Sequence, residues 1–517
     1  MSLAAAELIL DDVDRHARER PRQRAVVEVN AHGEVRELDW AGLAAEVDRF
    51  EAALRGLGVR AGEPVAFQLP NRLEFVAVAL ATLRLGAVCE PLMPIFRERE
   101  LEFMLTQSGA RVLFVPRTFR GRDHLAMALG LRAAVPPLQH VLVADDELGG
   151  DPSGPRERPA PDDIAQLLFT SGTSGEPKGV LHRHAVLNRA ADAHIRHFGL
   201  GQDDVVYVPS PLAHQTGFLY GMWIALRLGA PQVLQEAWDA ELALDAMQGL
   251  GVTFVQAATP FLADLTREAR ERGTQPQALR TFVATGAAIP RDLARAARET
   301  LEAEVGGAWG TTESCLGTAF APGDPPERAW STDGRPLEGV TIRVVDDRGR
   351  TLGANREGHF EVLTDTLFDG YLHRPELTAE VLTADGYYRT GDLALIDRDG
   401  YLRITGRVKD VINRGGEKVP VAEIEQLLYA HPAVRDVAVV AMPDERLGER
   451  ACAVVVLEPG AELDFATMLE YLDECRMAKT YWPERLELIE QLPKTPSGKI
   501  QKFLLREQLA QRKAIRT

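Results

Sequence analysis

Short apolar segments of strand length alternate with segments of helix length over most of the first three hundred residues. A strand is predicted at Pro64–Leu69, a helix at Leu73–Leu85, a second strand at Ala87–Leu92 and a second helix at Glu98–Ser108. Strands separated by helices of this length form βαβ units, whose strands are parallel. The alternation continues as far as Thr281–Ala284. The pattern therefore predicts an α/β fold with a mainly parallel sheet.

The pattern changes twice in the later part of the chain. After Thr332 the predicted strands, such as Leu393–Asp397 and Tyr401–Thr405, are separated by Asp-Gly turns, which is typical of antiparallel pairing. A further break falls at Gly406–Asp410, and mixed helices and strands follow it. We predict a large N-terminal domain over residues 1–406, made of parallel-sheet α/β subdomains and a β subdomain. A small mobile α+β domain over residues 407–517, with its hinge at about 407–410, is predicted to follow.

Composition argues against several classes of partner. The 517 residues carry a net charge of −17 and no long basic run, which argues against nucleic acid and anionic membranes. The four cysteines lack the spacing of a zinc site or a disulfide framework. No window reaches the roughly 18 uninterrupted apolar residues of a membrane span, and the N-terminal stretch predicts an amphipathic helix rather than a signal peptide. We expect a cytoplasmic protein without an integral membrane segment; a homodimer stays open.

One stretch concentrates hydrogen-bond donors suited to a phosphate. It follows the strand predicted at Ile164–Thr170 and reads LFTSGTSGEPKGV from Leu168 to Val180. Its glycines let backbone N–H groups approach an anion, its hydroxyls add donors, and Lys178 adds a positive charge. The stretch does not fit the pattern GxxxxGK[ST], and a flexible Ser/Gly surface loop is the alternative. The Pro-Lys-Gly ending and the helix predicted directly after it favour a phosphate site.

Five motifs in a fixed order resemble the signatures of adenylate-forming enzymes, the superfamily of acyl-CoA synthetases, peptide-synthetase adenylation domains and beetle luciferase. Besides FTSGTSGEPKG they are WGTTE, YRTGD, GRVKD and PKTPSGK, which begin at Trp309, Tyr388, Gly406 and Pro493. Trp309 stands where the family usually has Tyr. The resemblance covers essentially the whole chain and implies the adenylate-forming enzyme fold, with ATP, Mg²⁺ and CoA. In the reaction that it implies, a carboxylate attacks the α-phosphorus of ATP, pyrophosphate leaves, and a thiol displaces AMP from the acyl adenylate.

The resemblance also implies roles for the nucleotide-binding residues. Glu313 matches a carboxylate associated with Mg²⁺, with Thr170 as a second metal candidate, and Thr312 matches a hydroxyl beside the α-phosphate. Asp392 and Arg407 match contacts to the ribose. Each of these residues also has a simpler explanation when it is read without the resemblance. Glu313 could be an acidic residue at the start of a helix, and the Thr-Gly-Asp sequence that ends at Asp392 could be a turn. Arg407 could be a solvated side chain, and Gly286-Ala287-Ala288, which resembles the adenine side of the family's site, could be a helix-packing turn. The other expected ATP contacts are Thr170, Ser171, Gly172, Thr173, Ser174, Gly175, Lys178, Gly286, Ala287, Ala288, Trp309, Gly310 and Thr311.

Further roles concern the acyl group and the thiol. Lys499 is implied to bridge the substrate carboxylate and the α-phosphate, which relieves repulsion between two anions. Lys409 matches the position about which the small domain rotates, and Gly415 and Gly416 would then lie beside the pantetheine arm. A tight turn is the alternative for this glycine pair. His214 matches a position beside the acyl carboxylate, and capping of the following helix is the alternative.

The choice of substrate depends on weaker observations. Cys89–Leu101 resembles the subgroup of cyclohexanecarboxylate-CoA ligases, near the medium-chain acyl-CoA synthetases, and Phe218–Ile224 and Phe254–Pro260 are mostly apolar. We expect an acid–CoA ligase whose partners are ATP, CoA and a medium-chain, alicyclic or aromatic carboxylic acid, with no nucleic acid. Three alternatives stay open: an adenylation enzyme that loads a carrier-protein phosphopantetheine, a non-catalytic nucleotide-binding scaffold, and a luciferase-type oxygenase.

Overall fold

The computed structural model describes residues 8–150, 158–170, 177–286, 289–415, 417–444, 446–494 and 500–515. Its α-helices are α1 (Ile9–Glu19), α2 (Trp40–Gly56), α3 (Leu73–Arg84), α4 (Glu98–Ser108), α5 (His124–Leu131), α6 (His184–Phe198), α7 (Gln215–Gly217), α8 (Ile224–Leu228), α9 (Ala240–Leu250), α10 (Thr259–Arg272), α11 (Arg291–Leu301), α12 (Pro326–Ser331), α13 (Pro375–Val381), α14 (Val421–Tyr429), α15 (Phe465–Glu474) and α16 (Lys502–Ile515). A π-helical segment, Phe218–Trp223, joins α7 to α8.

The β-strands are β1 (Arg24–Val29), β2 (Val35–Asp39), β3 (Pro64–Phe67), β4 (Val88–Pro91), β5 (Val112–Val115), β6 (Thr118–Phe119), β7 (Arg122–Asp123), β8 (His140–Val143), β9 (Ile164–Thr170), β10 (Lys178–Arg183), β11 (Val206–Val208), β12 (Gln232–Gln235), β13 (Phe254–Ala258), β14 (Thr281–Thr285), β15 (Glu304–Thr311), β16 (Cys315–Ala319), β17 (Arg335–Pro336), β18 (Val340–Val345), β19 (Gly358–Thr364), β20 (Gly370–Tyr371), β21 (Tyr388–Ile396), β22 (Leu402–Arg407), β23 (Ile412–Arg414), β24 (Glu417–Val419), β25 (Val434–Asp444), β26 (Gly448–Leu457) and β27 (Arg485–Leu488).

Two large sheets are parallel at their centres and antiparallel at their ends. The first has the order β17-β16-β15-β14-β13-β11-β12-β1-β2, and its strands are parallel from β15 through β1. The second has the order β20-β10-β9-β4-β3-β5-β8, and its strands are parallel from β9 through β8. The mainly parallel α/β architecture predicted from the alternating pattern is therefore confirmed.

A common apolar core connects the two large sheets. Helix α3 lies within it, and ten of its twelve residues are buried, as expected for a helix that is apolar on every side. The same core takes side chains from α6, α8, the π-helical segment and strands of both sheets. The N-terminal helix α1, which the sequence predicted, is fixed to this core by Arg227, a buried guanidinium that contacts Asp12 and donates to Asp192 at 2.9 Å. A buried charge left without such partners would be costly.

Two smaller sheets follow along the chain. An antiparallel sheet has the order β18-β19-β21-β22, as the Asp-Gly turns predicted. The last sheet has the order β24-β23-β26-β25 with β27 beside β26, and α14, α15 and α16 pack against it. Among the helices of the described ranges, none is both long enough and apolar enough to cross a membrane.

The segment after the phosphate loop differs from the prediction of a helix. Residues Lys178–Arg183 form strand β10, antiparallel to β9, and α6 begins only at His184. The loop therefore joins two strands of a hairpin. Gly179 permits this arrangement, because a Cβ at its position would lie 2.8 Å from a methyl carbon of Leu167 and 3.1 Å from the Cβ of Leu372. From Val180 to Arg183 buried and half-buried residues alternate, as in a strand with one covered face.

The strand predicted at Leu393–Asp397 also differs from the structure. Strand β21 runs over Tyr388–Ile396, so the whole YRTGD motif lies inside it. Arg389, Gly391 and Asp392 obscured the strand in the sequence because polar residues and glycine are uncommon in strand interiors. Gly391 has a φ of 75°, and the pairing register with β22 shifts two residues later, which indicates a local irregularity at the motif.

Glu90 in β4 generates a prediction about pH and stability. It is fully buried, and neither carboxylate oxygen has a hydrogen-bond partner in the described part of the chain. Burial raises the pKa of Glu90 to about 8. A carboxyl whose pKa is higher in the folded state costs stability progressively as pH rises from its unfolded pKa of about 4.3 towards the folded value. We predict that Glu90→Gln raises Tm at pH 8.5 by several degrees more than at pH 5.

Scanning calorimetry at the two pH values measures this difference. Glu102→Gln, which removes an exposed carboxylate from α4, is the matched control and is expected to show no such pH dependence. A Glu90→Gln protein whose Tm parallels that of the parent at both pH values would contradict the prediction.

Candidate active site

Lys178 and Glu313 are brought together by a tyrosine that was not singled out in the sequence. Strand β10 pairs with β20, with Val180 opposite Tyr371. The Lys178 ammonium lies 4.9 Å from the centre of the Tyr371 ring, and the Tyr371 hydroxyl donates to Glu313 Oε1 at 2.8 Å. Burial and the Glu313 carboxylate raise the pKa of Tyr371, so the hydroxyl keeps its proton and acts as a donor. The cation of the phosphate loop and the candidate metal carboxylate therefore share one neighbour.

The turn that carries Thr312 and Glu313 is held by hydroxyl groups. Ser314 donates its backbone N–H to Thr311 Oγ1 at 3.1 Å, and Thr366 donates its hydroxyl to the Ser314 carbonyl at 3.0 Å. The next residue, Cys315, has a φ of 59°, which is uncommon for a residue with a side chain and is found preferentially at functional sites. Gly310 faces this turn, and a Cβ there would lie 2.5 Å from the Cys315 carbonyl oxygen. The backbone of WGTTE thus turns sharply at the candidate catalytic residues.

Asp392 is a buried carboxylate with two fixed donors. Trp309 Nε1 donates to its Oδ2 at 2.9 Å, and Arg407 Nε lies 2.8 Å from its Oδ1. The two residues come from different strands: β15 carries Trp309, and β22 places Arg407 opposite Asp392 in the register of β21. The Trp309 ring also packs edge-on against Phe360 at 4.6 Å. Trp309, predicted as a nucleotide contact, therefore holds the predicted ribose carboxylate through its indole N–H.

A second carboxylate, Asp333, lies close to Asp392 and was missed in the sequence. It accepts a hydrogen bond from the backbone N–H of Ile404 at 2.8 Å. Burial, with a contribution from the Asp392 charge, raises the pKa of Asp333 to about 6. Its position just before Gly334, in the turn that leads to β17, is the only sequence signal that could have singled it out.

His214 caps a helix in the structure. Its Nδ1 accepts a hydrogen bond from the backbone N–H of Thr216 at 3.2 Å, at the start of α7. The capping role weighed as an alternative is thus present. The loop before His214 is held by Asn71, whose amide donates to the carbonyls of Val208 and Ser210 and whose carbonyl accepts from the Leu212 N–H at 2.8 Å. Asn71 was also missed, because a polar residue before α3 carries no distinctive pattern.

The remaining predicted site residues are placed as follows. Thr170 ends β9 opposite Lys178 and donates its hydroxyl to the Lys178 carbonyl at 3.4 Å. Gly286 follows β14 with a φ of 82°, and Gly415 follows β23 with a φ of 60°. The other predicted residues lie outside the described part of the chain: Ser171, Gly172, Thr173, Ser174, Gly175, Ala287, Ala288, Gly416 and Lys499.

Comparison with known proteins assigns this arrangement to a class of enzymes. The family model described as AMP-binding enzyme matches residues 13–372, and the model described as AMP-binding enzyme C-terminal domain matches residues 423–499. The fold and the motif residues therefore define an adenylate-forming enzyme.

Similar proteins support the same class. The medium-chain fatty-acid–CoA ligase of Escherichia coli (strain K12) is 38% identical over 469 residues, which cover 88% of this chain and 83% of that protein. The salicyl-AMP ligase / salicyl-S-ArCP synthetase of Mycobacterium tuberculosis is 34% identical over 511 residues, which cover 95% and 89%. Among solved structures, ATP-bound MatB from Rhodopseudomonas palustris is 27% identical to this chain and has a TM-score of 0.87; the match covers 97% of this chain and 98% of that one. The apo form of MatB matches with the same identity and coverage but with a TM-score of 0.76.

The chain belongs to the AMP-binding enzyme family. The family and the fold predicted from the five motifs are confirmed, and so, at the level of the family, is the prediction of an enzyme of the acyl-CoA ligase type. This arrangement of the chain is more similar to the ATP-bound form of MatB than to its apo form.

Trp309→Phe tests the role of the buried carboxylate, because it removes the indole N–H and keeps an aromatic ring against Phe360. A hydrogen bond to a charged group contributes about 1.5 kcal/mol or more, or roughly tenfold in affinity. We predict that the dissociation constant for ATP, measured by titration calorimetry, rises about tenfold. Trp330→Phe is the matched control, because the Trp330 N–H is buried and makes no hydrogen bond within the described ranges. Equal affinities of the two variants would show that the Trp309–Asp392 bond does not support nucleotide binding.

Proposed function

We propose that this protein is an AMP-forming acid–CoA ligase. It activates a carboxylic acid as an acyl adenylate, with release of pyrophosphate, and transfers the acyl group to CoA. The observation that carries the proposal is the convergence of residues from four of the motifs on two sets of contacts. Lys178 and Glu313 meet through Tyr371 in one set, and Trp309, Asp392 and Arg407 form the other. The family membership of the whole chain supports it.

Tyr388 lies between the two sets of contacts. Burial raises the pKa of its phenol, the nearby charges of Glu313 and Asp392 add to the shift, and the Thr311 hydroxyl opposes it. This proximity supports a single nucleotide site in which Asp392 binds the ribose hydroxyls and the phosphates extend towards Glu313 and Lys178. Two hydroxyl donors on one charged acceptor form a strong arrangement. Thr312 would then lie beside the α-phosphate.

The residues present fit a magnesium ion held jointly with the phosphates. Mg²⁺ is usually bound by one or two carboxylates together with substrate phosphates and water. Glu313 supplies one carboxylate, and its Oε2 has no hydrogen bond to a residue that the structure describes. The Thr170 hydroxyl, at the start of the phosphate loop, is the second candidate ligand. The ion would neutralise charge on the phosphoryl oxygens as pyrophosphate leaves.

The acyl group would lie near His214 and the π-helical segment Phe218–Trp223. All six residues of that segment are buried, and a π-helix is frequent at functional sites. Its apolar composition supports an uncharged acyl group. The E. coli relative is a medium-chain fatty-acid–CoA ligase, which supports a medium-chain acid within the broader set of medium-chain, alicyclic and aromatic acids. His214 would lie beside the acyl carboxylate while its ring caps α7.

The second half-reaction requires the thiol to enter where Lys499 acts in the first. We propose that residues 407–517 form the mobile domain, that residues 407–410 form its hinge, and that rotation replaces Lys499 by the hairpin of β23 and β24. Gly415 and Gly416 would then lie beside the pantetheine arm. In this structure Asn413, Gly415 and Lys418 of the hairpin are exposed, which agrees with the arrangement for adenylate formation.

A carrier protein is the second candidate for the thiol acceptor. The relative from M. tuberculosis is named both a salicyl-AMP ligase and a salicyl-S-ArCP synthetase, and it shares nearly the whole length of this chain. All the contacts above serve adenylate formation with either acceptor. The acceptor is therefore decided only by measuring the thioester product.

A panel of carboxylic acids tests the proposed function. We predict that a medium-chain, alicyclic or aromatic acid releases pyrophosphate from ATP and that CoA raises the turnover and yields an acyl-CoA detectable by mass spectrometry. Acylation of a carrier protein without acyl-CoA formation would establish the second candidate. Absence of acid-dependent pyrophosphate release across the panel would contradict both candidates and favour the nucleotide-binding scaffold.

Lys499→Ala tests the division between the half-reactions. Because the lysine would offset repulsion between the carboxylate and the α-phosphate, we predict a loss of adenylate formation of at least about a hundredfold. Thioester formation from pre-made acyl adenylate should be largely retained. Lys494→Ala is the control from the same motif, because Lys494 pairs with Asp436 at 2.5 Å within the last sheet and its helices. An equal loss of both half-reactions in Lys499→Ala would remove the argument for alternation.

A further inference from the structure

One short segment, residues 366–372, holds the turn that carries Glu313. Thr366 donates its hydroxyl to the Ser314 carbonyl at 3.0 Å. Phe368 donates its backbone N–H to the Glu313 carbonyl at 2.8 Å. The Tyr371 hydroxyl donates to Glu313 Oε1 at 2.8 Å. Two hydrogen bonds therefore fix the backbone of the turn, and a third fixes the carboxylate itself.

The same segment also pairs with the strand that begins at Lys178. Tyr371 lies opposite Val180 in the register of β20 and β10, and the Leu372 N–H donates to the Gly179 carbonyl at 2.8 Å. The Lys178 ammonium lies 4.9 Å from the centre of the Tyr371 ring. Residues 366–372 thus connect the strand after the phosphate loop with the turn of the candidate metal carboxylate.

Tyr371 is itself held firmly. It is buried, and its ring packs edge-on against Phe368 with the ring centres 4.9 Å apart. Its backbone N–H donates to Thr378 Oγ1 of α13 at 2.9 Å. The packed ring and the fixed backbone restrict where the phenol can lie, so Tyr371 can determine the positions of the two charged groups that contact it.

The two charged groups contact different parts of the tyrosine. Lys178 and Glu313 have opposite charges and would attract each other at short range. Their described contacts do not include an ion pair with each other; the ring takes the cation and the hydroxyl takes the anion. Because Oε1 of Glu313 accepts from Tyr371, Oε2 is the carboxylate oxygen left for a metal ion.

We propose that Tyr371 is a positioning residue that orients Glu313 towards the metal ion through its hydroxyl and places Lys178 for the phosphates through its ring. The inference rests on the proposed function for the magnesium ion and the nucleotide. It adds that one side chain keeps a cation and an anion from neutralising each other, so that both remain available to ATP.

The two contacts differ in the size of their expected effects. Loss of a group that orients a metal ligand lowers metal affinity by about tenfold to a hundredfold. A cation beside an aromatic ring at a partly exposed site contributes roughly two- to fivefold in affinity. The hydroxyl and the ring can therefore be separated by two substitutions, Tyr371→Phe and Tyr371→Leu.

Titration calorimetry with ATP, in EDTA and in excess Mg²⁺, tests both contacts without any assumption about the acid. In Tyr371→Phe we expect the gain in ATP affinity that Mg²⁺ produces to fall by about tenfold, while the affinity in EDTA stays as in the parent because the ring is kept. In Tyr371→Leu the affinity in EDTA should also fall, by roughly two- to fivefold. The double variant Tyr371→Phe/Glu313→Gln should show the same Mg²⁺ gain as Glu313→Gln alone, because both changes act through one carboxylate.

Tyr401→Phe is the matched control, because Tyr401 is another buried tyrosine whose hydroxyl donates to a carboxylate. It donates to Asp324 Oδ1 at 2.8 Å, and the Arg335 guanidinium lies 4.9 Å from the centre of its ring. We expect Tyr401→Phe to leave both ATP affinities unchanged.

Three results would overturn the inference. A Mg²⁺ gain in Tyr371→Phe equal to that in Tyr401→Phe would overturn the orientation of Glu313, and so would a loss of affinity in Tyr371→Phe that is equal in EDTA and in Mg²⁺. An affinity in EDTA that Tyr371→Leu leaves unchanged would overturn the role towards Lys178. Inactivity of the parent with every acid would instead contradict the proposed function, and the calorimetry would still decide the role of Tyr371.

Discussion

The buried carboxylate of Asp392 is the constraint on which the rest of the site depends. A charge inside a protein is stable only with partners, and here the partners come from two different strands, through the Trp309 indole and the Arg407 guanidinium. The same contacts fix the carboxylate proposed to bind the ribose, and they lie at the end of β22. The proposed hinge begins at Arg407, so one interaction would set both the position of the ribose and the start of the hinge.

The contacts around Lys178 and Glu313 depend on the pairing of antiparallel strands. The phosphate loop joins β9 to β10, and β10 in turn carries β20 at the end of the seven-stranded sheet. Tyr371 in β20 thereby contacts both Lys178 and Glu313, which lies in the turn between β15 and β16 of the nine-stranded sheet. Groups distant in sequence meet because the edge strand β20 of one large sheet contacts the antiparallel β15–β16 turn of the other. In the proposed function, this pairing assembles the cations and the two carboxylates that would let two anions react.

The sequence predicted much of the fold but only part of the site. The alternation of strand-length and helix-length segments was sufficient to predict the parallel sheets. Several elements, such as α4 and β9, also have the predicted bounds. Strands β10 and β21 were misjudged because glycines and polar residues of the motifs mask the period of two. Motifs identified Glu313 and Asp392, whereas Tyr371 and Asn71 were missed. Tyr371 reaches its position through the pairing of β20 with β10, and Asn71 binds a loop that is distant in sequence. Neither contact leaves a local pattern in the sequence.

A crystal structure with an acyl-sulfamoyl adenosine, a stable mimic of the acyl adenylate, tests the central claim most directly. The account predicts that the ribose hydroxyls donate to Asp392, that Trp309 keeps its bond to the same carboxylate, and that the sulfamoyl group lies beside Thr312. A nucleoside bound elsewhere, with Asp392 contacting only Trp309 and Arg407, would contradict it.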